Sequence, residues 1–445
     1  MTMMDDELRR ALREIADEGR PVDLGRAALA GARRRRRAHL GVASVAVVAA
    51  AAISLPMMLA DPLGTDHDRV ASPAPAGAGP SVVTVHYQDD VNAPPLVLDP
   101  DTGDYRSVDE VLETVGEHAR WVTVSPDLRQ VAGMPNPFRL RIAATTGEGA
   151  PTVVHLPGAG RDPVWSPDSR RIALTRGVHR TQVDSVIVVE AATGETTEVR
   201  LDAPTDNTGL REPVDWLDPD HLVVTTVDLT DRHPMAHETA AASERRPVIT
   251  GMAVFDLDGT LVQRVPIDQS PLAGSDQPHS GLMWAPHSEV RDGRVLLGRL
   301  PEPGTLELAV LDLTTGGVVL GPVTATLPPV TLPADVSPED GYQSSARASH
   351  AHAHGLYRTA TIDDGQLYRS PLPVAWLHDG TALLEAGWYG FDTGFEVPAE
   401  SHRVDLSTGT MDPVDLPGPA TSGIPQFGDS AGLSPQARDR AITIR

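Results

Sequence analysis

From Ser81 onward the apolar positions fall into short β-type runs, each bounded by turn residues. The clearest case is the stretch 163–176, P-V-W-S-P-D-S-R-R-I-A-L-T-R. An apolar pair ending in Trp165 meets the Ser166-Pro167-Asp168-Ser169 turn, and alternation resumes through Ile172 and Leu174. Proline at the second turn position with Asp after it favours a tight reversal, so the flanking runs read as antiparallel strands. Further on, residues 186–195 (V-I-V-V-E-A-A-T-G-E) read as a strand entering a second turn closed by Gly194. Together these predict a four-stranded meander of roughly 45 residues.

Both signals recur. The Gly194 turn has counterparts at 98–104, 143–148, 255–260, 311–317 and 404–410, which place Gly103, Gly147, Gly259, Gly316 and Gly409 where hairpins need positive φ. The Trp165 turn has counterparts at Val124-Ser125-Pro126-Asp127, Trp216-Leu217-Asp218-Pro219-Asp220, Trp284-Ala285-Pro286-His287, Trp376-Leu377-His378-Asp379-Gly380 and Leu433-Ser434-Pro435. Trp165, Trp216, Trp284 and Trp376 thus share one repeated position, the mark of a structural repeat. The series starts with a Gly-turn hairpin and ends with a Ser-Pro turn leading into 441–444. The expected fold is therefore all-β, a six-bladed β-propeller whose C-terminal strands complete the blade begun at Ser81 and leave no open edge. Insertions at about 228–247 and 324–364 interrupt blades four and six. The second exceeds ordinary loop length and reads as a functional loop or a disordered one.

The W-S-P-D-S-R-R-I-A-L-T motif of 165–175 resembles the repeat of TolB-like, WD-repeat-like six-bladed propellers, and the resemblance extends over 81–445. The whole layout resembles actinobacterial single-pass membrane proteins. That resemblance implies no catalytic residues.

The N-terminal part reads differently. Residues 1–38 form a basic tail with helical spacing at Leu8, Leu12 and Ile15, broken by Pro21. Five arginines at 33–37 precede the 21 uncharged residues 40–60, enough apolar chain to span a bilayer. We read 39–60 as one transmembrane helix, an uncleaved signal anchor rather than a cleaved signal peptide, because Met58-Leu59-Ala60 is a poor cleavage site. Arginines on its N-terminal side keep the tail cytoplasmic and the propeller outside the cell membrane. Residues 61–80, rich in Pro, Ala and Gly, form a tether.

Charge and composition narrow the function. The net charge is −24, with +3 on residues 1–38, which leaves −27 on the rest and argues against nucleic-acid binding. Lysine is absent, so all 37 basic residues are arginine, and the absence of cysteine removes disulfides and thiolate metal sites. The expectation is a binding or scaffolding module at the cell envelope. Its partner would be an envelope protein or small ligand at the channel face, with acidity favouring a basic or cationic one. Two further classes are an envelope signalling protein of anti-sigma-factor type, whose tail engages a cytoplasmic regulator, and a hydrolase with catalytic groups in the insertions. No cofactor is expected.

Three motifs carry possible chemistry. Residues 253–262, A-V-F-D-L-D-G-T-L-V, contain the D-x-D-G-T nucleophile pattern of haloacid-dehalogenase-like phosphatases, in which Asp256 would attack phosphorus and Asp258 act as acid/base beside Mg²⁺. The chain lacks the lysine that family needs, no βαβ alternation surrounds the motif, and the repeat demands a hairpin there. Residues 428–432, G-D-S-A-G, match the G-x-S-x-G elbow, yet the 13 residues that follow hold no histidine. Both matches read as coincidental, and the chain is expected not to be an enzyme. His350, His352 and His354 alternate and could face one way to bind Zn²⁺ or Cu²⁺, though a surface loop is the simpler account.

A prediction follows from residues 33–60. Reporters fused after Pro80 should be active only when they require an extracytoplasmic location. Activity of a cytoplasm-dependent reporter at that site would reverse the topology.

Overall fold

The structure is a computed structural model that describes residues 80–443, apart from 88–92, 115–116, 177–182, 203–207, 234–245, 268–284, 287–289, 303, 337–340, 344–359, 370, 378, 387–388, 392–394 and 416–425. The tail, the expected span at 40–60 and the tether up to 79 lie outside these residues. Among the described residues no helix is long and apolar enough to cross a membrane.

Six four-stranded antiparallel sheets form the propeller blades. Blade 2 is Arg120–Val124, Gln130–Asn136, Arg139–Ala144 and Thr152–His155 in spatial order. Blade 3 is Gly160–Trp165, Arg171–Arg176, Ser185–Glu190 and Thr196–Arg200. Blade 4 runs from Thr208–Asp218 through His221–His233 and Arg246–Asp256 to Leu261–Pro266. Blade 5 comprises Ala285–Pro286, Arg294–Arg299, Thr305–Asp312 and Val318–Thr326. Blade 6 comprises Leu372–Trp376, Thr381–Ala386, Glu400–Asp405 and Met411–Pro413. In blade 1 the innermost strand comes from the far end of the chain: Gln426–Asp429 pairs with Ser81–His86, followed outward by Leu96–Leu98 and Tyr105–Ser107.

Each blade packs on both neighbours. Val85 and Val97 of blade 1 cluster with Val122 and Val131 of blade 2, and Met134 and Leu140 of blade 2 with Trp165 and Ile187 of blade 3. Similar cores join blades 3 and 4, 4 and 5, and 5 and 6. Val83 and Phe427 of blade 1 meet Leu377 and Leu383 of blade 6, which closes the ring. Because a middle strand is covered on both faces, its apolar run is nearly continuous, as in Arg171–Arg176 and Ser185–Glu190. Outer strands such as Thr196–Arg200 are polar and exposed.

Two expectations about the chain need correction. The ring closes with the single strand Gln426–Asp429, not with residues 441–444. Ser434-Pro435 is a helix start rather than a hairpin turn: Ser434 Oγ accepts from Ala437 N at 3.0 Å, with Pro435 at the first position of the helix Pro435–Arg440. That helix buries Ala437 and Ala441 with Leu433 against Val82 and Leu98, and Thr443 makes one bridge to Val82.

Parts of both insertions are strand. Strands His221–His233 and Arg246–Asp256 run on into the first, pairing His233 with Arg246. In the second, Val330–Thr331, Ala360–Asp363 and Gln366–Arg369 form one small sheet, and Gly341–Gln343 pairs with Tyr389–Phe391 in another. They bury Leu332, Val336, Leu367 and Val397 as a satellite core. Arg369, only 3% exposed, fastens this unit to blade 6 by donating to Pro398 O and Glu400 Oε1, both at 2.7 Å.

The chain ends are clamped by Tyr105. Its hydroxyl donates to Val83 O at 2.7 Å and accepts from Ile442 N at 3.2 Å, while Val83 N donates to Ile442 O. Burial pushes the phenol up to about 12, against a weaker opposing effect of the Ile442 hydrogen bond. Tyr105→Phe should cost roughly 1–2 kcal/mol in denaturant unfolding. Because the folded-state pKa lies above the unfolded value of 10, the stabilisation is whole below pH 10 and is lost as the pH rises through about 12. Stability measured over that alkaline window should therefore fall less steeply in Tyr105→Phe than in the parent. Equal slopes would remove Tyr105 from the clamp.

Candidate functional site

The meander order segregates the connections. In blades 2 to 6 the first-to-second strand reversals, and in every blade the third-to-fourth reversals, lie at one end, and the other connections between strands lie at the opposite end. The first end is a face of tight turns. Gly103, Gly147, Gly194, Gly259, Gly316 and Gly409 all have φ between 72° and 84° there. Asp256 belongs to this set: its Oδ1 accepts the amides of Asp258 and Thr260 at 3.0 and 2.9 Å, which holds the hairpin shut. Consecutive blades are tied across the face, by Asp127 N donating to Ser169 Oγ, by the Arg129–Asp101 pair and by Arg171 Nη1 donating to Pro219 O. Pro80 meets the face as well, where its carbonyl accepts from Ser430 N. Ser430 is buried in a short 3₁₀ turn, Ser430–Gly432, capped by Asp429.

The tryptophans fasten blade to blade from just inside this face. Trp165 Nε1 donates to Thr123 O and Trp216 Nε1 to Val164 O at 3.1 Å, each on the innermost strand of the preceding blade. Trp376 has the Arg291 guanidinium 5.9 Å from its ring centre instead. Trp284 lies outside the described residues, and its neighbours do not form the expected turn: Ala285 and Pro286 pair with Gly298 and Leu297 as a strand. Blade 5 reverses instead at Asp292-Gly293, both with positive φ, and Arg291 N bonds Arg294 O across it. His350, His352 and His354 also lie outside the described residues. Among the described residues no group of three or more His, Asp or Glu could hold a metal ion.

The opposite face carries the long connections: the segment 108–119, which opens with the short helix Val108–Val111, both insertions, and the other links between blades. Asp109 organises the first by accepting from Thr114 Oγ1, Ala119 N and the His118 ring. Phe138 stands out of this face, 58% exposed.

Where the innermost strands start, beside this face, three consecutive blades place an arginine at one level. Arg120 pairs opposite Met134, Arg161 opposite Thr175 and Arg211 opposite Thr225. Each opposing residue is the third after the one facing the repeat position, Val131, Ile172 or Leu222. A register shift follows every arginine, and the next residue is left-handed in two blades, Trp121 at φ 48° and Asp162 at φ 47°. Sequence reasoning missed this set, although an arginine four or five residues before Val124, Trp165 and Trp216 was the available signal.

Solved structures share this architecture. TolB from Acinetobacter baumannii matches at 14% identity and a TM-score of 0.33, over 75% of this chain and 65% of that one. A structure assigned as TolB from Agrobacterium tumefaciens matches at 11% identity and 0.37, over 80% and 96%. The sheet order itself makes this a six-bladed propeller, and the two TolB structures are what it resembles. No family model and no curated protein matches the sequence. A puromycin-hydrolysing peptidase of Mycobacterium tuberculosis also matches, at 16% identity and 0.37, over 76% of this chain and 43% of that one. The expectation that this chain is not an enzyme is withdrawn, since a hydrolase is among the matched structures. The chain spans about two thirds of the Acinetobacter protein and under half of the peptidase, and the likeness is one of fold.

The Asp256 geometry generates a prediction. Asp256→Asn keeps the acceptor oxygen and should leave folding and any activity unchanged, whereas Asp256→Ala should cost about 1 kcal/mol in thermal unfolding. Mg²⁺-dependent phosphatase turnover abolished by Asp256→Asn alone would overturn the turn assignment.

Proposed function

We propose that this chain is a membrane-anchored, extracytoplasmic propeller that binds or scaffolds a partner at the cell envelope, through the face that carries its long connections. The observation that supports this reading is the segregation of connections. Tight turns tied to one another occupy one face, and loops free to vary in length occupy the other, where binding residues are best placed on a rigid scaffold. The chain joins the propeller at Pro80, on the turn face.

Photo-crosslinking tests the assignment. A benzophenone side chain placed at Phe138, on the loop-rich face, should give discrete adducts in intact cells, and one placed at Thr193, exposed on the turn face, should give none. Adducts from Thr193 alone, or from neither position, would overturn it.

A further inference from the structure

We propose that the attachment of the satellite sheets to blade 6 is an acid-sensitive latch, in which protonation of His402 loosens the hold of Arg369 and frees the sheets from the loop-rich face. The latch works with or without a partner on that face.

The strand Gln366–Arg369 lies at the junction of blades 5 and 6. A Cβ at Gly304 of blade 5 would stand 3.7 Å from Tyr368 Cβ, and the next residue, Arg369, reaches blade 6. Its buried guanidinium bonds Pro398 O through Nη1 and Glu400 Oε1 through Nη2, while its Nε has no hydrogen-bond partner. Among the described residues Glu400 is the one carboxylate within ion-pair distance of it. The attachment therefore rests on a buried cation with a single acid to balance it, and a second cation at that place would compete for the same acid.

His402 is placed to supply that cation. It follows Glu400 by two residues on one strand, so the two side chains share a face. Leu384 and Pro413 stand opposite it on the adjoining strands, and blade 5 meets this face with apolar residues such as Leu300, Leu306 and Ala325. The acids of those strands belong to the other face of the sheet: Glu385 is opposite Ser401, and Asp412 is opposite Arg403, which pairs with Asp379. Glu302, at the loop end of blade 5, accepts from Thr305 Oγ1. The charges that act on His402 are thus those of Glu400 and Arg369.

The ring is half-buried, and its Nδ1 is buried without a hydrogen-bond partner among the described residues. A neutral imidazole can leave that nitrogen as an idle acceptor. Protonation makes it a buried donor with nothing to receive it, beside a guanidinium of like charge. Burial accordingly lowers the His402 value from its ordinary 6.5; Glu400 opposes the shift and Arg369 adds to it. Because the attached structure has the lower value, attachment is at full strength above pH 6.5 and is lost as the pH falls from there through that lower value.

The test is hydrogen exchange of the full chain in detergent, at about pH 7.5 and about pH 5.5, where ordinary carboxylates stay ionised, with the intrinsic pH dependence of amide exchange divided out. Amides of Ala360–Asp363 and Gln366–Arg369 should lose protection at the lower pH, severalfold and at most about tenfold, the limit for one group of ordinary value 6.5. Amides of Arg139–Ala144 in blade 2 should keep theirs, which also guards against a misfolded variant. His402→Gln, uncharged at both pH values, should be protected at the lower pH as the parent is at the higher. Glu400→Gln removes the acid that balances Arg369, so the same amides should lose protection about threefold at the higher pH already, a readout of the latch separate from the histidine. Equal protection at the two pH values, a pH response that survives in His402→Gln, unaltered protection in Glu400→Gln, or an equal loss in blade 2 of the parent would overturn the latch.

Discussion

Everything in this propeller depends on the pairing of Gln426–Asp429 with Ser81–His86. A blade has apolar side chains on both faces and cannot bury them alone; it needs a neighbour on each side, and the series ends only when the last blade meets the first. Bringing together strands so far apart in sequence carries a loop-closure cost that grows only slowly with length. What opposes that cost is cooperative: one strand added to blade 1 also completes the contact of Val83 and Phe427 with Leu377 and Leu383 of blade 6. The helix Pro435–Arg440 and the Tyr105 hydroxyl then hold the chain end over the seam. Gly103 shows how closely it is held, since a Cβ there would lie 2.8 Å from the Ala437 backbone.

Closure makes the two faces unequal. Short reversals leave no slack, so the turn face can be stitched by inter-blade bonds such as Asp127 to Ser169 and Arg171 to Pro219. Tryptophan adds a large apolar body and one directional bond, and Trp216, almost fully buried, uses both against blade 3. Loops on the other face bear none of this constraint. Insertions could therefore grow there into a satellite core with its own buried arginine, Arg369, without disturbing the blades.

Much of this was legible in the sequence because hairpin chemistry is local. Glycine at positive φ and Asp accepting its own turn amides are decided within a few residues, so the Gly-turn series and the six-blade count could be read directly. The failures are equally physical. Ser-Pro serves both a hairpin turn and a helix start, and which one forms at Ser434 depends on the apolar shelf of Val82 and Leu98 brought there by closure. Trp-x-Pro at Trp284 imitates the repeat, while the working reversal, Asp292-Gly293, carries no tryptophan. The arginine level was hidden because a bulge shifts it, four residues before Val124 and Trp165 but five before Trp216.

The net charge of −24 leaves room for arginines that pair locally. Exposed pairs such as Arg129–Asp101 and Arg440–Asp104 are screened by water and contribute little energy; they set contacts between blades and chain end. Outer acidity then keeps the domain soluble and repels bulk anions. The ring that closure makes rigid is what lets such weak exposed pairs keep a fixed geometry between blades.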